Sequence, residues 1–570
     1  MAATGRPWQM HYPPGVRATI DAPPYRNLAD FARDRARHFG DATAFTCVLP
    51  NGMSGALSFR ETDRLADCFA VYLREVAGLK AGDRVAVQMP NSLTYPVVAL
   101  GIFKAGCVLV NVNPLYTADE MAHTLADSQP KVLVIIDLFA DKLTPALAKS
   151  PVPHVVIAGI AAFFPLLRKT IVGIVQKYVK KQVPPVGVPA ITIDSAIAQG
   201  RARHGGGDQQ IAAYSADVNG DDLVCLQYTG GTTGVSKAAM LSHGNLIMNM
   251  AQVSEMISSG LKEGEETVLT ALPLYHIFAF TANFLCFYAL GGHNVLIPSP
   301  RPLSNLRKAF EQIPITWMTG VNTLFNGLLN EEWFKSNPPR TLKGSSAGGM
   351  ALHSAVAERW TKLLGTPVIE GYGLSEASPV LTFNPFGGIK ADSIGIPIPS
   401  TDLRCVDENG KEVAHGMPGE IIAKGPQVML GYWRRPDETA NVLKDGWLYT
   451  GDIGIMDDDG YTRIVDRKKD MIIVSGFKVF PNEVEDCLAK LDSVQEAAVI
   501  GVPDEGTGEA VKAFVVAKSP QLTSEDVRAF CKQHLTAYKV PKLVEFRAEL
   551  PKSNVGKILR KELRQPAAGR

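Results

Sequence analysis

The sequence has no excess of charge of either sign. Its 58 lysines and arginines face 57 aspartates and glutamates, a net charge of +1. Bulk nucleic-acid binding calls for a strongly basic face, so no nucleic-acid partner is expected. The chain lacks the apolar poverty of a disordered protein, since 46% of residues are hydrophobic and 20% charged. It lacks paired cysteines. Cys47, Cys68, Cys107, Cys225, Cys286, Cys405, Cys487 and Cys531 stand singly, with no C-x-x-C to make a zinc ribbon or a redox motif. Scattered thiols fit a reducing cytosol. There is no apolar run of the roughly 20 residues that cross a bilayer. The opening MAATGRPWQMHYPPG has no apolar signal stretch, and Gln565 to Arg570 carry no lipidation motif. Fixed-period repeats and low-complexity segments are missing too. The expected location is the cytoplasm.

The 570 residues leave room for about four domain-sized units. Glycine is plentiful at 51 residues, which suggests tight turns and close backbone approaches. Residues 27–39 and 60–77 have apolar positions at helical spacing, and Gly78 is a plausible stop for the second stretch. Residues 83–88, 108–112 and 131–137 read as strands, and 92–105 as a helix. The alternation predicts an α/β fold, its large N-terminal domain over 1–465 built of mixed and parallel sheets with helices. From 466 to 570 a small α+β domain is expected. Met471 to Val474 form a strand there, Ser475-Gly476 a turn, and Pro481 opens a helix against acidic residues. Strands at 497–502 and 511–517 follow, then a helix from Ser524 capped by Thr523.

The segment 155–185 differs. Val155 to Leu167 are mostly apolar and lead into Arg168, Lys169, Lys177, Lys180 and Lys181 with no acid between them. From Leu166 to Val183 apolar and basic residues interleave at helical spacing. Two readings stand: an interfacial helix on anionic lipid, and a surface helix with a solvated basic face.

The strongest local signal is Tyr228-Thr-Gly-Gly-Thr-Thr-Gly-Val-Ser-Lys237, which follows the apolar Leu223 to Leu226. Backbone N–H groups, hydroxyls and one ammonium suit phosphate oxygens. It is not the P-loop pattern, because Ser236 precedes Lys237 and Ala238 follows it. Four weaker clusters come later: Gly371-Tyr-Gly-Leu-Ser-Glu376, Tyr449-Thr-Gly-Asp452, Asp466 to Gly476, and Leu550-Pro-Lys-Ser-Asn-Val-Gly-Lys-Ile558. Taken singly, each can be a packed aromatic, a solvated charge or a turn. Asp457-Asp-Asp-Gly460 lacks the distal glutamate of a calcium loop and reads as a turn.

In this order the set resembles the adenylate-forming superfamily of acyl-CoA synthetases, luciferases and peptide-synthetase adenylation domains, from about residue 20 to 562. Leu272-Pro-Leu-Tyr-His-Ile-Phe278, Gly320 to Phe325, Ser346 to Met350 and Gly425 to Trp433 are similar to its bacterial long-chain fatty-acid–CoA ligases. The resemblance implies a fatty acid, ATP and CoA as substrates, with Mg²⁺. It implies that Thr229, Gly230, Gly231, Thr232, Thr233, Gly234 and Lys237 hold the β- and γ-phosphates. Gly371, Tyr372 and Gly373 would form the adenine wall, Asp452 and Arg467 the ribose site. Glu376 would hold the metal, Ser375 reach the α-phosphate, and Lys557 bridge carboxylate and α-phosphate. Lys469 would be the hinge of a mobile C-terminal domain, and Ser475 and Gly476 would face pantetheine. His276, Phe280, Gly348 and Gly349 would line the acyl slot, Phe280 as a gate or as a packed core aromatic. Ser375 departs from the commoner threonine but keeps the hydroxyl.

Four rivals remain at this point: a fatty acyl-AMP ligase, a medium-chain or aryl-acid–CoA ligase, a non-catalytic acyl- or nucleotide-binding protein, and a lipid scaffold resting on residues 155–185. The assembly state is open, with a homodimer as one option.

Overall fold

The computed structural model describes residues 6–229, 236–553 and 556–564. An eight-stranded sheet runs in the order Gly431–Tyr432, Lys237–Ser242, Leu223–Thr229, Val108–Asn111, Arg84–Gln88, Val132–Ile136, His154–Ala158, Ile191–Thr192. From Leu223–Thr229 onward its neighbours are parallel. Those strands are near-continuous Val, Leu and Ile because helices cover both faces. Lys237–Ser242 turns back antiparallel on Leu223–Thr229. A nine-stranded sheet holds Val368–Gly373 between Gly344–Ala347, parallel to it, and Val380–Phe383, antiparallel to it. A smaller antiparallel sheet pairs Trp447–Met456 with Thr462–Arg467.

Local signals explain the helices. Phe59–Val71 starts from a reciprocal cap between Ser58 and Glu61, a device that contributes about 1 kcal/mol. Its hydrogen bonding then widens into a π-turn over Tyr72–Val76, which apolar spacing does not reveal. Gly78 follows at φ +69°. The helix Thr94–Lys104 is buried along its whole length. Its Lys104 ammonium, out of solvent, is paired with Asp63 and, at 2.6 Å, with Asp67, as a buried charge requires.

The C-terminal part has its own sheet of Phe477–Val479, Ile472–Val474, Gly508–Ala517 and Val494–Asp504, with Leu543–Phe546 beside Gly508–Ala517. Its two apolar clusters draw only on residues from Ile472 onward, and the large N-terminal cluster only on residues up to Ile464. The sheet change falls after Arg467, because Asp452 pairs with Arg467 in strand register. No described helix is long and apolar enough to cross a membrane.

Candidate active site

The strands Leu223–Thr229 and Lys237–Ser242 form a hairpin in which Thr229 faces Lys237. Gly230, Gly231, Thr232, Thr233 and Gly234 lie outside the described residues. The Thr229 hydroxyl donates to the Lys237 carbonyl at 3.3 Å, and Ser236 Oγ is 3.1 Å from the Tyr116 hydroxyl. The Lys237 ammonium contacts the Glu438 carboxylate and lies 5.3 Å from the centre of the Tyr432 ring. Tyr432 donates to Glu376 Oε1 at 2.7 Å. The hairpin lysine and the Glu376 carboxylate, 139 positions apart in sequence, thus share one aromatic neighbour.

The strand Val368–Gly373 enters this cluster closely packed. A Cβ on Gly373 would sit 1.8 Å from the Pro379 carbonyl oxygen, and one on Gly371 2.9 Å from Phe383. The chain then turns through Ser375–Ala377, a short 3-10 segment, with the Glu376 carbonyl accepting from Met429 N at 2.8 Å. Ser375 is half-buried beside Glu376. Tyr372 donates to Asp452 Oδ2 at 2.7 Å, and Arg467 Nε lies 3.6 Å from Asp452 Oδ1. Burial, and then the Asp452 charge, holds the Tyr372 hydroxyl well above its ordinary pKa. Burial also raises the Glu376 carboxyl.

Lys557 arrives on a turn closed by a bridge between Lys552 and Ile558. Gly556, at φ +84°, presents its carbonyl to the Thr323 hydroxyl at 3.0 Å, which docks the turn on the large domain. Part of the Lys557 side chain reaches solvent, but its ammonium is enclosed. Burial, with Arg467 as the next cause, lowers its pKa to about 7, and Asp452 opposes that shift. His276 is pushed down to about 4 by burial and by the Lys557 charge. The Lys557 charge thus acts on His276, and the Arg467 and Asp452 charges act on Lys557. Lys469 is exposed, and its pKa is lowered by burial of its charge and by Arg467.

Gly348 and Gly349 follow the strand Gly344–Ala347. A Cβ on Gly348 would approach the Phe278 ring and the Gly371 carbonyl at 3.3 Å, so this glycine fits between the His276 segment and the Tyr372 strand. Phe280 is fully buried, edge-on to Tyr95, Phe103 and Phe284. That is the placement of a packed core aromatic. Ser475 and Gly476 are the two central residues of a hairpin with φ +49° and +83°, the primed turn that such short loops favour. Nothing lies within 4 Å of a Cβ built on Gly476, and Phe477 beside it is exposed and stacked on Tyr538.

The AMP-binding enzymes match residues 32–433, and the C-terminal domain of AMP-binding enzymes matches residues 483–557. The chain belongs to the AMP-binding enzymes. This AMP-binding enzyme is 48% identical over 565 residues to a long-chain-fatty-acid–CoA ligase of Salmonella typhimurium, covering 99% of this chain and 98% of that protein. Its fold is similar to the anthranilate CoA ligase AuaEII in complex with anthranoyl-AMP (TM-score 0.83, 26% identity, 95% of this chain and 98% of that one). It is also similar to ATP-bound MatB from Rhodopseudomonas palustris (TM-score 0.78, 28% identity, 94% and 98%).

Sequence reasoning missed several residues of this AMP-binding enzyme. Arg560 gathers Asp466 at 3.2 Å, Glu485 at 2.8 Å and Asn482 at 2.6 Å. Its place three residues after Lys557 was the one available hint. Tyr432 lies in the Gly425–Trp433 stretch without a role read for it there, and Glu438 follows no chemical motif; their contacts with Glu376 and Lys237 single them out.

Proposed function

We propose that this enzyme is a long-chain fatty-acid–CoA ligase that joins a fatty acid to CoA at the expense of ATP, through an acyl-AMP intermediate. One observation carries the reading: a lysine of the C-terminal part, Lys557, has its ammonium buried within reach of the charges of the Asp452–Arg467 pair, and its own charge acts on His276 of the large part. Naming of the Salmonella typhimurium relative as a long-chain-fatty-acid–CoA ligase supports the acid and the thiol.

In the first step the fatty carboxylate oxygen attacks the α-phosphorus and pyrophosphate leaves. The carboxylate is ionised at neutral pH, so the step asks for positioning and neutralisation of two anions rather than a base. Lys557 brings positive charge between them. Lys237 exchanges Glu438 for the outgoing phosphates, and the Asp452–Arg467 pair grips the ribose under the Tyr372 wall. His276, neutral above pH 4 or so, borders the acyl end with Gly348 and Gly349. Among the described residues no cluster of three metal-binding side chains exists, but Mg²⁺ needs only one or two carboxylates beside substrate phosphates. Glu376 fits that need: it is a carboxylate held by Tyr432 whose burial favours a cation next to it. Bound there, Mg²⁺ would neutralise phosphate charge. In the second step the CoA thiolate attacks the acyl carbonyl and AMP leaves. A thiol near pKa 8.5 needs little help to ionise. For this step the part beyond Arg467 swings about Lys469, withdraws Lys557 and brings Ser475-Gly476 toward pantetheine.

The test is AMP release from ATP and Mg²⁺ with palmitate, octanoate or benzoate, with and without CoA. CoA-dependent AMP with palmitate preferred is expected. A single burst of acyl-AMP indifferent to CoA would favour an acyl-AMP ligase, and preference for benzoate an aryl-acid ligase. Absence of turnover with every acid would leave a binding protein.

A second reading concerns location. The helix Leu166–Ile174 and its extension to Val179 expose Leu166, Leu167, Ile171, Ile174 and Tyr178. That apolar face beside Lys177, Lys180 and Lys181 favours docking of the enzyme on an anionic bilayer surface, where long-chain acids partition.

A further inference from the structure

The two parts of the chain meet through few polar contacts. Thr323 reaches the Gly556 carbonyl, and Asn326 donates to the Gln495 carbonyl at 3.2 Å. Among the described residues two ion pairs join residues up to Arg467 to residues after Asp470: Arg560 with Asp466 at 3.2 Å, beside the connection between the parts, and, away from it, His353 Nδ1 with Asp486 Oδ1 at 2.5 Å. We propose that His353 and Asp486 form a latch that positions Lys557 for acyl-AMP formation and must open for the CoA step.

The latch stands between two parts of the machinery. On one side, His353 ends the segment that begins at Gly348 and Gly349, and it precedes the helix Ser354–Leu364. Its backbone N–H donates to Asn322 Oδ1 at 3.1 Å, fixing the loop. On the other side, Asp486 lies on the helix Pro481–Ala489. The preceding residue of that helix, Glu485, accepts from Arg560 at 2.8 Å and from Val499 N at 2.7 Å. Arg560 is three residues beyond Lys557 and also bonds Asp466. Holding Asp486 therefore holds the helix, the helix holds Arg560, and Arg560 fixes the turn that carries Lys557. A cavity of about 140 Å³ opens along the same seam, lined in part by Thr323, Asn326, His353, Arg359 and Glu496. A seam with such a void gains little from apolar packing, so the charged pair beside it weighs heavily.

The charge on His353 supports a latch. Burial works against protonation, and Arg560 adds to that, but Asp486 and then Glu485 outweigh them and raise the imidazole above its ordinary value. Asp486 thus favours the protonated imidazole while the two parts are docked. Loss of Asp486 leaves the enclosed His353 imidazole without its acceptor, which weakens docking.

The inference rests on the ligase reading and on the rotation of the C-terminal part. The test uses full-length enzyme with His353→Gln, Asp486→Asn, the double variant and His353→Lys. Pyrophosphate release in a single turnover with ATP and palmitate reports the first step. Consumption of preformed palmitoyl-AMP by CoA reports the second. Each single variant should slow the first step about 5- to 50-fold and leave the second unchanged or faster. The double variant should be no worse than either single one, and His353→Lys, which keeps the positive charge, should recover most of the first step. Equal losses in both steps, additive losses, or an unaffected first step would each overturn the latch. If His353→Gln does not fold, the isosteric Asp486→Asn decides by the same ratio. Absence of pyrophosphate release by the wild-type enzyme would instead overturn the ligase reading, which keeps the two failures apart.

Discussion

A lysine that has lost half its protons at neutral pH is a poor clamp for anions until the anions arrive. Lys557, lowered to about 7 by burial and by the Arg467 charge, is such a lysine in the free enzyme. The carboxylate and α-phosphate oppose both causes, so their binding should raise its pKa again. The sign of the pH effect follows. In the proposed role Lys557 acts protonated, so kcat/KM for acyl-AMP formation, which reports the free enzyme, should fall as pH rises through about 7. The limb in kcat should lie higher. His276 does not enter this limb, because it is neutral from about pH 4 upward. Lys557→Ala should slow acyl-AMP formation about 10²- to 10³-fold, the loss typical of a removed electrostatic group in a closed site. CoA attack on preformed palmitoyl-AMP should be largely spared. Lys557→Arg, permanently charged, should abolish the limb near 7 even if misplacement lowers the rate. Equal loss in both half-reactions, or a limb that survives in the arginine variant, would remove Lys557 from its role.

The element that carries Tyr372 tolerates no added atom at its end. Gly373 has the Pro379 carbonyl oxygen 1.8 Å from where a Cβ would be, and that oxygen also accepts from Leu374 N at 3.0 Å. Gly373→Ala must push the strand Val368–Gly373 away from its partner Val380–Phe383, a distortion that costs about 1–3 kcal/mol. It should lower the urea midpoint of the large part and raise the KM for ATP. Gly476→Ala meets no atom and strains only its positive φ, by about 1 kcal/mol, so it should leave the ATP site unchanged. Identical ATP KM in Gly373→Ala and wild type would show that the packing at Gly373 does not shape the site. The same elements mark what was legible in the sequence. Gly371 to Glu376 and Tyr228 to Lys237 stood out in the sequence because their signal is local: a few consecutive residues bring together glycines, hydroxyls and a charge. The strand–helix alternation and the cap at Thr523 were legible for the same reason. The Lys237–Glu438 contact, the Tyr432–Glu376 bond and the His353–Asp486 pair are made between distant segments, and periodicity carries no record of them.

Across the whole molecule, the net charge of +1 conceals one basic region. Between Leu166 and Val183 there are five cations and no acid. Arg168 is tied to the Ser54 carbonyl at 2.7 Å and Lys169 to Asp194 at 2.6 Å, which anchors the helix to the body. Lys177, Lys180 and Lys181 make no ion pair among the described residues and are exposed. Val172 is the face turned inward, so the outward face of Leu167, Ile171, Ile174 and Tyr178, spaced four, three and four, is left to solvent. Near an anionic surface each lysine contributes about 1 kcal/mol, so three contribute about 3 kcal/mol. Each fully buried apolar side chain adds about 1.5–3 kcal/mol. The sum is enough for reversible binding to vesicles of phosphatidylglycerol mixed with phosphatidylcholine. Replacing Lys177, Lys180 and Lys181 by glutamine should cut that binding about 100-fold and remove most of its salt dependence. Leu167→Ser with Ile171→Ser and Tyr178→Ser should weaken binding while leaving the salt dependence in place. Ligase activity in detergent, where no surface has to be found, should stay near wild type in both. Cosedimentation with vesicles that neither set of changes alters would return the segment to a solvated surface helix, and the enzyme would then meet its acids from solution.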